Sequence, residues 1–319
     1  MRKDFFLSVD WGTSTFRLRL VEKSSAEVIK ELVSPVGIKA LYLKWQQQGG
    51  DREWIFLHFL KQQIEQLGVN ISEDTEIVIS GMASSNIGIR ELPYALLPFH
   101  IDGKGLYVEL IKHSLFPNGF YLISGVCSDA DIIRGEETQL LGLAAEEDLY
   151  RKSIFILPGT HSKHIMCENG EITGFNTFMT GELFQVICTH SIFKSSVEKP
   201  SPGFNDWKAF DEGILKSQEG FSLLNDLFNI RTRDILDKKS PKENYYYLSG
   251  LLIGEEVSTL KSVTFDRIQL CAGNHLYEPY KRAMQILKLY DRAIIVDKET
   301  VENSVPQGQL KVLKQNNQT

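Results

Sequence analysis

Two short turns carry the residue types that phosphate chemistry needs. Asp10-Trp11-Gly12-Thr13-Ser14 joins an apolar run, 5–9, to an alternating one, 16–21. A turn with glycine and two hydroxyl residues, Gly12, Thr13 and Ser14, exposes backbone N–H groups in a concave nest that suits phosphate oxygens. The carboxylate before it, Asp10, could hold a divalent cation such as Mg²⁺, with water in the remaining positions. The plainer alternative is a hairpin turn whose Asp and Thr make local bonds only. Pro158-Gly159-Thr160-His161-Ser162-Lys163 has the same chemistry plus a cation. Gly159 opens the turn, Thr160 and Ser162 offer hydroxyl donors, and Lys163 could meet a phosphate as a point charge. His161 is either a ligand or a hydrogen-bonded structural histidine. Two such turns, one in each half, suit a triphosphate that needs a cradle from each side.

Between them lie Asp129, Asp131, Arg134, Glu136 and Glu137. Phosphoryl transfer to an alcohol needs a carboxylate near the attacking hydroxyl, to position it and receive its proton. Glu136 follows Gly135 at a predicted helix start, where the helix dipole keeps it ionised. Glu136 and Asp131 are the two candidate bases, and Glu137 reads as ordinary first-turn charge. Arg17, Arg90 and Arg134 could each grip a carboxylate through a bidentate pair, or serve in surface ion pairs. Ser84 and Ser85, in a loop that ends a strand, could contact a polyol, and Thr180 and Glu182 could do so from the second half. Gly273-Asn274 follows a strand, and glycine there lets the backbone approach a flat ligand. Neither a G-x-x-x-x-G-K-[ST] loop nor a G-x-G-x-x-G fingerprint occurs, which disfavours those nucleotide folds.

The elements that must position these residues follow from periodicity. Strands are predicted at 5–9, 16–21, 76–80 and 119–124, with helices at 54–67 and 136–147. The pattern then restarts: a strand at 153–157, a return strand at 163–167, an Asn169-Gly170 hairpin turn and a third strand at 171–175. A helix over 180–189 takes Thr180 as its N-cap. Helices at 244–256 and 279–289 alternate with strands at 268–271 and 292–296. The polar tail after Pro306 is expected to fray. The 319 residues thus divide into two domains, 1–148 and 149–319, with a duplicated architecture.

Composition narrows the classes. Apolar residues make up 42% and charged ones 24%, ordinary for a globular chain. A formal charge of -6 argues against a nucleic-acid partner. The four cysteines lack metal-finger spacing and suit a reducing compartment. No apolar run is long enough to span a bilayer, and the N-terminus lacks a signal-peptide pattern, so no membrane partner and a cytoplasmic location are expected. A homo-oligomer is compatible with all of this.

Several strings together resemble one family. Val9-Asp10-Trp11-Gly12-Thr13-Ser14 with Arg17, Gly81-Met82, Arg134-Gly135-Glu136-Glu137-Thr138-Gln139, Leu157-Pro158-Gly159-Thr160-His161-Ser162-Lys163, Phe178-Met179-Thr180-Gly181-Glu182-Leu183-Phe184 and Leu248-Ser249-Gly250-Leu251-Leu252-Ile253-Gly254-Glu255 are similar, in order, to the 2-dehydro-3-deoxygalactonokinase family. The resemblance implies an α/β fold of two actin-like (ribonuclease H-like) domains with an interdomain cleft for ATP and Mg²⁺. It implies phosphorylation of the 6-hydroxyl of 2-dehydro-3-deoxy-D-galactonate in galactonate breakdown. Residues 10–14 then correspond to a first phosphate motif, 158–163 to a second, and 272–274 to an adenosine motif. By analogy with related carbohydrate kinases, Gly135-Glu136 takes the place of a base-carrying Gly-Asp. Ser84 stands where the family pattern has glycine, Ile89 and His164 where it has tryptophan, and Cys127 in a stretch where arginine is expected. Those departures bear on pocket packing and carboxylate binding. The rival readings are a same-fold kinase for another sugar acid or sugar, and a non-catalytic nucleotide-binding sensor.

Overall fold

The structure is a computed structural model that describes residues 4–69, 75–143 and 151–316. The alternating segments near the start form a meander of β1 (Phe5–Trp11), β2 (Phe16–Glu22) and β3 (Val28–Ser34), followed by α1 (Ile38–Gln48) and α2 (Arg52–Leu67). α2 starts at Asp51, whose side chain accepts from Trp54 N, and ends at Gly68 in the left-handed region. Its buried Phe56, Leu57, Leu60 and Ile64 recur at helical spacing and pack into one core with Trp11 and Phe16 of the sheet. Next come β4 (Glu76–Gly81), the two-residue strands β5 (Ala95–Leu96) and β6 (Phe99–His100), then β7 (Val108–His113) and β8 (Phe116–Ile123). Two more short strands, β9 (Val126–Cys127) and β10 (Ile132–Ile133), join β5 in a small sheet, and α3 (Glu136–Leu143) follows. The main sheet runs β3-β2-β1-β4-β8-β7. β1 is antiparallel to β2 and parallel to β4, which is parallel to β8.

The second half repeats this plan with β11 (Ser153–Leu157), β12 (Ser162–Glu168), β13 (Glu171–Phe178), β14 (Arg267–Leu270) and β15 (Ala293–Ile295). Their order is β15-β14-β11-β12-β13, with β11 parallel to β14 and β14 parallel to β15. Numbered within each half, β1, β2, β3, β4 and β8 and then β11 to β15 both give 3-2-1-4-5, the ribonuclease H-like order of actin-like proteins, with β7 added beside β8 and β6 beside β13. The fold is therefore mixed α/β with two such units, as expected from sequence. The helices here are α4 (Thr180–His190), α5 (Trp207–Lys216), α6 (Leu223–Asp226), α7 (Asn229–Ile235), α8 (Pro241–Ser258) and α9 (Asn274–Ile286). α8 opens with a full capping box between Ser240 and Glu243 and with Pro241 in its first turn. It packs backbone to backbone on α5: a Cβ at Gly250 would lie 2.0 Å from the carbonyl oxygen of Phe210. Gly250→Ala is therefore expected to destabilise the protein by about 3 kcal/mol, because rigid helix backbone cannot yield as a flexible side chain would. Thermal unfolding checks it, and an unchanged midpoint would contradict the packing.

The chain divides into two compact units, the first holding residues 1–150 and the second residues 151–166 and 175–298. Residues 167–174 and 299–319 count with the first unit. Expectation and structure differ at the C-terminus. Residues 307–316 do not fray: α10 (Lys298–Asn316) runs through them and buries Val305, Leu310, Val312 and Leu313, and residues 317–319 lie outside the described residues. Gln309 Nε2 donates to Val9 O and Ser80 Oγ, both at 2.9 Å, tying this helix to the centre of the first sheet. Its many Gln and Asn residues hid that apolar stripe from a reading of composition. The α4 N-cap is Met179 rather than Thr180, whose hydroxyl is engaged elsewhere. Residues 144–147 of the predicted helix lie outside the described residues.

Candidate functional site

In the first unit, the 10–14 turn is closed by Gly12 N donating to Thr15 O at 2.9 Å. Ile38 N and Lys39 N, at the head of α1, donate to Gly12 O and Thr13 O at 3.0 and 3.1 Å. The turn is thus held by its own backbone, while the side chains of Thr13 and Ser14 stay exposed. Asp10, at the end of β1, lies in register with Arg17 on one side and Ser80 on the other. Burial raises its carboxyl pKa, and Arg17 and Arg19 oppose the rise. Arg19 is engaged with Glu31 at 2.6 Å, and Arg17 Nε lies 3.7 Å from the same carboxylate.

Backbone contact brings two further segments to this turn. Gly81 has φ 90° in the left-handed region, and a Cβ there would lie 2.8 Å from Trp11 O. Gly135, φ 109°, packs in turn on Gly81, with a built Cβ 3.1 Å from its Cα. Only glycine allows three chains to approach so closely. The result sets the 81–85 loop and the head of α3 against the first turn. Glu136 is half-buried there and accepts from Arg134 N at 3.0 Å. Asp131 sits in the 128–131 turn before β10, with Oδ1 accepting from Ile132 N at 2.7 Å.

Arg134 is 8% exposed. Its Nη1 donates to Ser84 O and Oγ at 2.5 and 2.7 Å, its Nε to Tyr94 OH at 3.3 Å, and its guanidinium lies 4.1 Å over the Tyr94 ring. Among the described residues no carboxylate pairs with it. Arg90, by contrast, is committed to Glu53 and Glu109. Ser85 Oγ donates to Met82 O at 2.7 Å and is buried, so its hydroxyl shapes the loop.

Glu137 is fully buried and accepts from Gly135 N and from Thr138 Oγ1. Burial, then the neighbouring charge of Glu136, push its carboxyl up to about 7 from 4.5, against those hydrogen bonds. With the folded pKa above the unfolded one, the stability this group lends below pH 4.5 is lost as pH rises through about 7. The swing is on the order of 3 kcal/mol. Glu137→Gln is expected to flatten the stability curve between those limits. Denaturant unfolding at a series of pH values reads this, and an unchanged slope would contradict it.

The second unit contains a cavity of about 1210 Å³. Gly159, Thr160 and Gly181 line it, with Gly273 at the head of α9 and an aromatic wall that includes Trp207 and Tyr246. The 158–160 turn packs directly on α4: a Cβ at Gly181 would lie 2.6 Å from Gly159 O, and Glu182 N donates to Thr160 O at 2.9 Å. His161 and Glu182 bond to each other on the exposed side. Gly273 has open space around its Cα, and the side chain of Asn274 lies outside the described residues.

Two residues of the second turn depart from expectation. Ser162 is fully buried and its hydroxyl donates to Glu256 at 2.6 Å, away from the cavity. Lys163, on the opposite face of β12, is 6% exposed and donates to Thr177 Oγ1 at 2.8 Å. Strand alternation is the reason: the extended segment begins at Ser162, so side chains from there on point into one packed layer or the other. Thr180 lines the cavity but its hydroxyl also donates to Glu256. Glu256, Tyr280 and Tyr94 were not singled out from sequence. Glu256 had a signal, since it continues the buried Leu248, Leu252 stripe of α8 at four-residue spacing, where an acid is out of place.

The model of the 2-keto-3-deoxy-galactonokinase family matches residues 10–304. The chain is 31% identical over 221 residues to the 2-dehydro-3-deoxygalactonokinase of Escherichia coli (strain K12), covering 67% of this chain and 72% of that protein. It is 29% identical over 303 residues to a Rhizobium meliloti (strain 1021) protein provisionally given the same name, covering 92% and 93%. A crystal structure from Sinorhizobium meliloti, provisionally described likewise, superposes with a TM-score of 0.80 at 26% identity, over 98% of this chain and 99% of that one.

Proposed function

The chain belongs to the 2-keto-3-deoxy-galactonokinase family and is an ATP-dependent carbohydrate kinase, and from that premise we propose that it transfers the γ-phosphoryl group of ATP to the 6-hydroxyl of 2-dehydro-3-deoxy-D-galactonate, a step of galactonate breakdown. The observation that carries the choice of an acid is Arg134. A buried guanidinium without a carboxylate partner among the described residues is costly unless a ligand supplies the anion. Ser84 and Tyr94 engage Nη1 and Nε and fix the guanidinium plane, which leaves Nη2 to donate to a carboxylate. A sugar acid meets that requirement and a neutral sugar does not.

Each residue then has a role. Glu136, beside the first turn, receives the proton of the attacking hydroxyl as the oxygen approaches phosphorus. The contact of Gly135 with Gly81 sets Glu136 beside the turn and supports it as the base. Thr13, Ser14 and the amide of Gly12 offer donors to phosphate oxygens. In the second unit, Gly159 and Thr160 cradle phosphate and Gly273 lets the adenosine lie close to the backbone of α9. Arg17 and Glu182 serve as polar contacts at the margins.

The residues fit Mg²⁺. Burial penalises the charged form of Asp10, so a cation beside it would be favoured. Among the described residues no three carboxylate, histidine or cysteine groups converge on one metal position. One carboxylate with water and phosphate oxygens is the usual Mg²⁺ arrangement. When bound, Mg²⁺ supplies positive charge to the phosphate oxygens. The four cysteines are free. No helix among the described residues is long and apolar enough to cross a membrane.

Locating the new phosphate ester tests the reaction. Mass spectrometry and phosphorus NMR of the product are expected to place it on C6. An ester at another carbon, or an acyl phosphate on the carboxylate, would contradict the assignment.

A further inference from the structure

Glu256 does not line the cavity of the second unit, yet four side-chain donors converge on it. Ser162 Oγ lies 2.6 Å and His164 Nε2 3.0 Å from Oε1. Tyr280 OH lies 2.8 Å from Oε2, which also accepts from Thr180 Oγ1. Glu256, Ser162, His164 and Tyr280 are each 2% exposed or less. An ionised carboxylate is acceptor-only, with room for about four donors, so this shell saturates it. Facing a carboxylate oxygen, His164 Nε2 carries its proton.

The donors come from different elements of the second unit. Ser162 and His164 begin β12, two and four residues after Thr160. Thr180 opens α4 beside Gly181, whose backbone touches Gly159 and Thr160. Tyr280 belongs to α9, the helix that starts at Gly273. Thr180 and Tyr280 line the same cavity as Gly159, Thr160 and Gly273. Burial and the charge of Glu256 hold the Tyr280 hydroxyl protonated far above its usual range, so it remains a donor.

We infer that Glu256 is a positioning residue for nucleotide binding: from α8, one buried carboxylate holds the phosphate turn, the head of α4 and helix α9 in a fixed relation. The inference rests on the reading that this cavity takes ATP. Its consequence is selective. Loss of the carboxylate disturbs the phosphate side and the adenosine side of the cavity together, and leaves Arg134 and Glu136 of the first unit untouched.

Glu256→Gln keeps the shape and replaces one acceptor oxygen by a donor. The KM for ATP is expected to rise about tenfold, with the KM for the sugar acid changed less than about twofold. Tyr280→Phe removes one donor and keeps the buried ring, and is expected to raise the KM for ATP about threefold. The second variant decides the matter if the first does not fold. A merely structural role would lower the unfolding temperature and the active fraction and leave the KM for ATP at its wild-type value. That result in the folded variants, or an equal rise in both KM values, would overturn the inference. Wild-type enzyme is measured alongside: without ATP-dependent turnover there, the kinase reading fails and takes this inference with it, whereas a wild-type KM for ATP in the variants rejects the inference alone.

Discussion

Glu136→Gln is expected to lower kcat by roughly 10²–10⁴-fold, with little change in the KM for either substrate. Glutamine preserves the size of the side chain and can still accept from Arg134 N, as the carboxylate does at 3.0 Å. It cannot take a proton from the attacking hydroxyl. The position at the head of α3 favours the ionised form in the wild type, since the helix N-terminus carries partial positive charge. Asp131→Asn is expected to cost less than about tenfold, because that carboxylate serves the local turn through Ile132 N. Steady-state kinetics of both variants distinguish the roles. The reverse ranking would make Asp131 the base, and wild-type turnover in both would remove the base from this stretch of chain.

Arg134→Met is expected to raise the KM for the sugar acid by about 100-fold, from the loss of a charge-assisted contact. The KM for ATP should hold, as the side chain of Arg134 bonds Ser84 and Tyr94, which belong neither to the 10–14 turn nor to the cavity of Gly159 and Gly273. Stability should change little. Removing a buried cation that has no carboxylate partner among the described residues relieves desolvation, which offsets the lost bonds to Ser84 and Tyr94. A residue kept for structure would give the opposite pattern, a lower melting temperature with unchanged KM. Ser84→Gly restores the residue of the family pattern and is expected to weaken acid binding only about threefold, because Ser84 O remains as an anchor for Nη1.

The turns of the candidate site were legible in the sequence as turns. Gly12 with its two hydroxyl neighbours, Gly159 and Gly273 could be read because turn geometry depends on residues adjacent in the chain. The restart of the strand pattern near residue 153 showed the duplicated architecture, while the 3-2-1-4-5 order came only from the pairing of the strands. Side-chain destinations were harder. Ser162 reads as a phosphate donor by type, but its strand position turns the hydroxyl to Glu256, 94 residues away in sequence. Lys163 faces the opposite way and meets Thr177. The partner of each lies in a distant element, and no local spacing encodes it. α10 was missed for a related reason: its polar composition masks a stripe that matters only once the first sheet is there to receive it. Glu137 looked like ordinary first-turn charge, and burial beneath the turn is what distinguishes it from Glu136.

ADP release with Mg²⁺–ATP, measured with and without 2-dehydro-3-deoxy-D-galactonate, tests the central claim most directly. The expected result is strong release only when that acid is present, and none with the corresponding neutral sugar. Release that does not depend on the acid, or ATP binding with no release for any sugar acid, would contradict it.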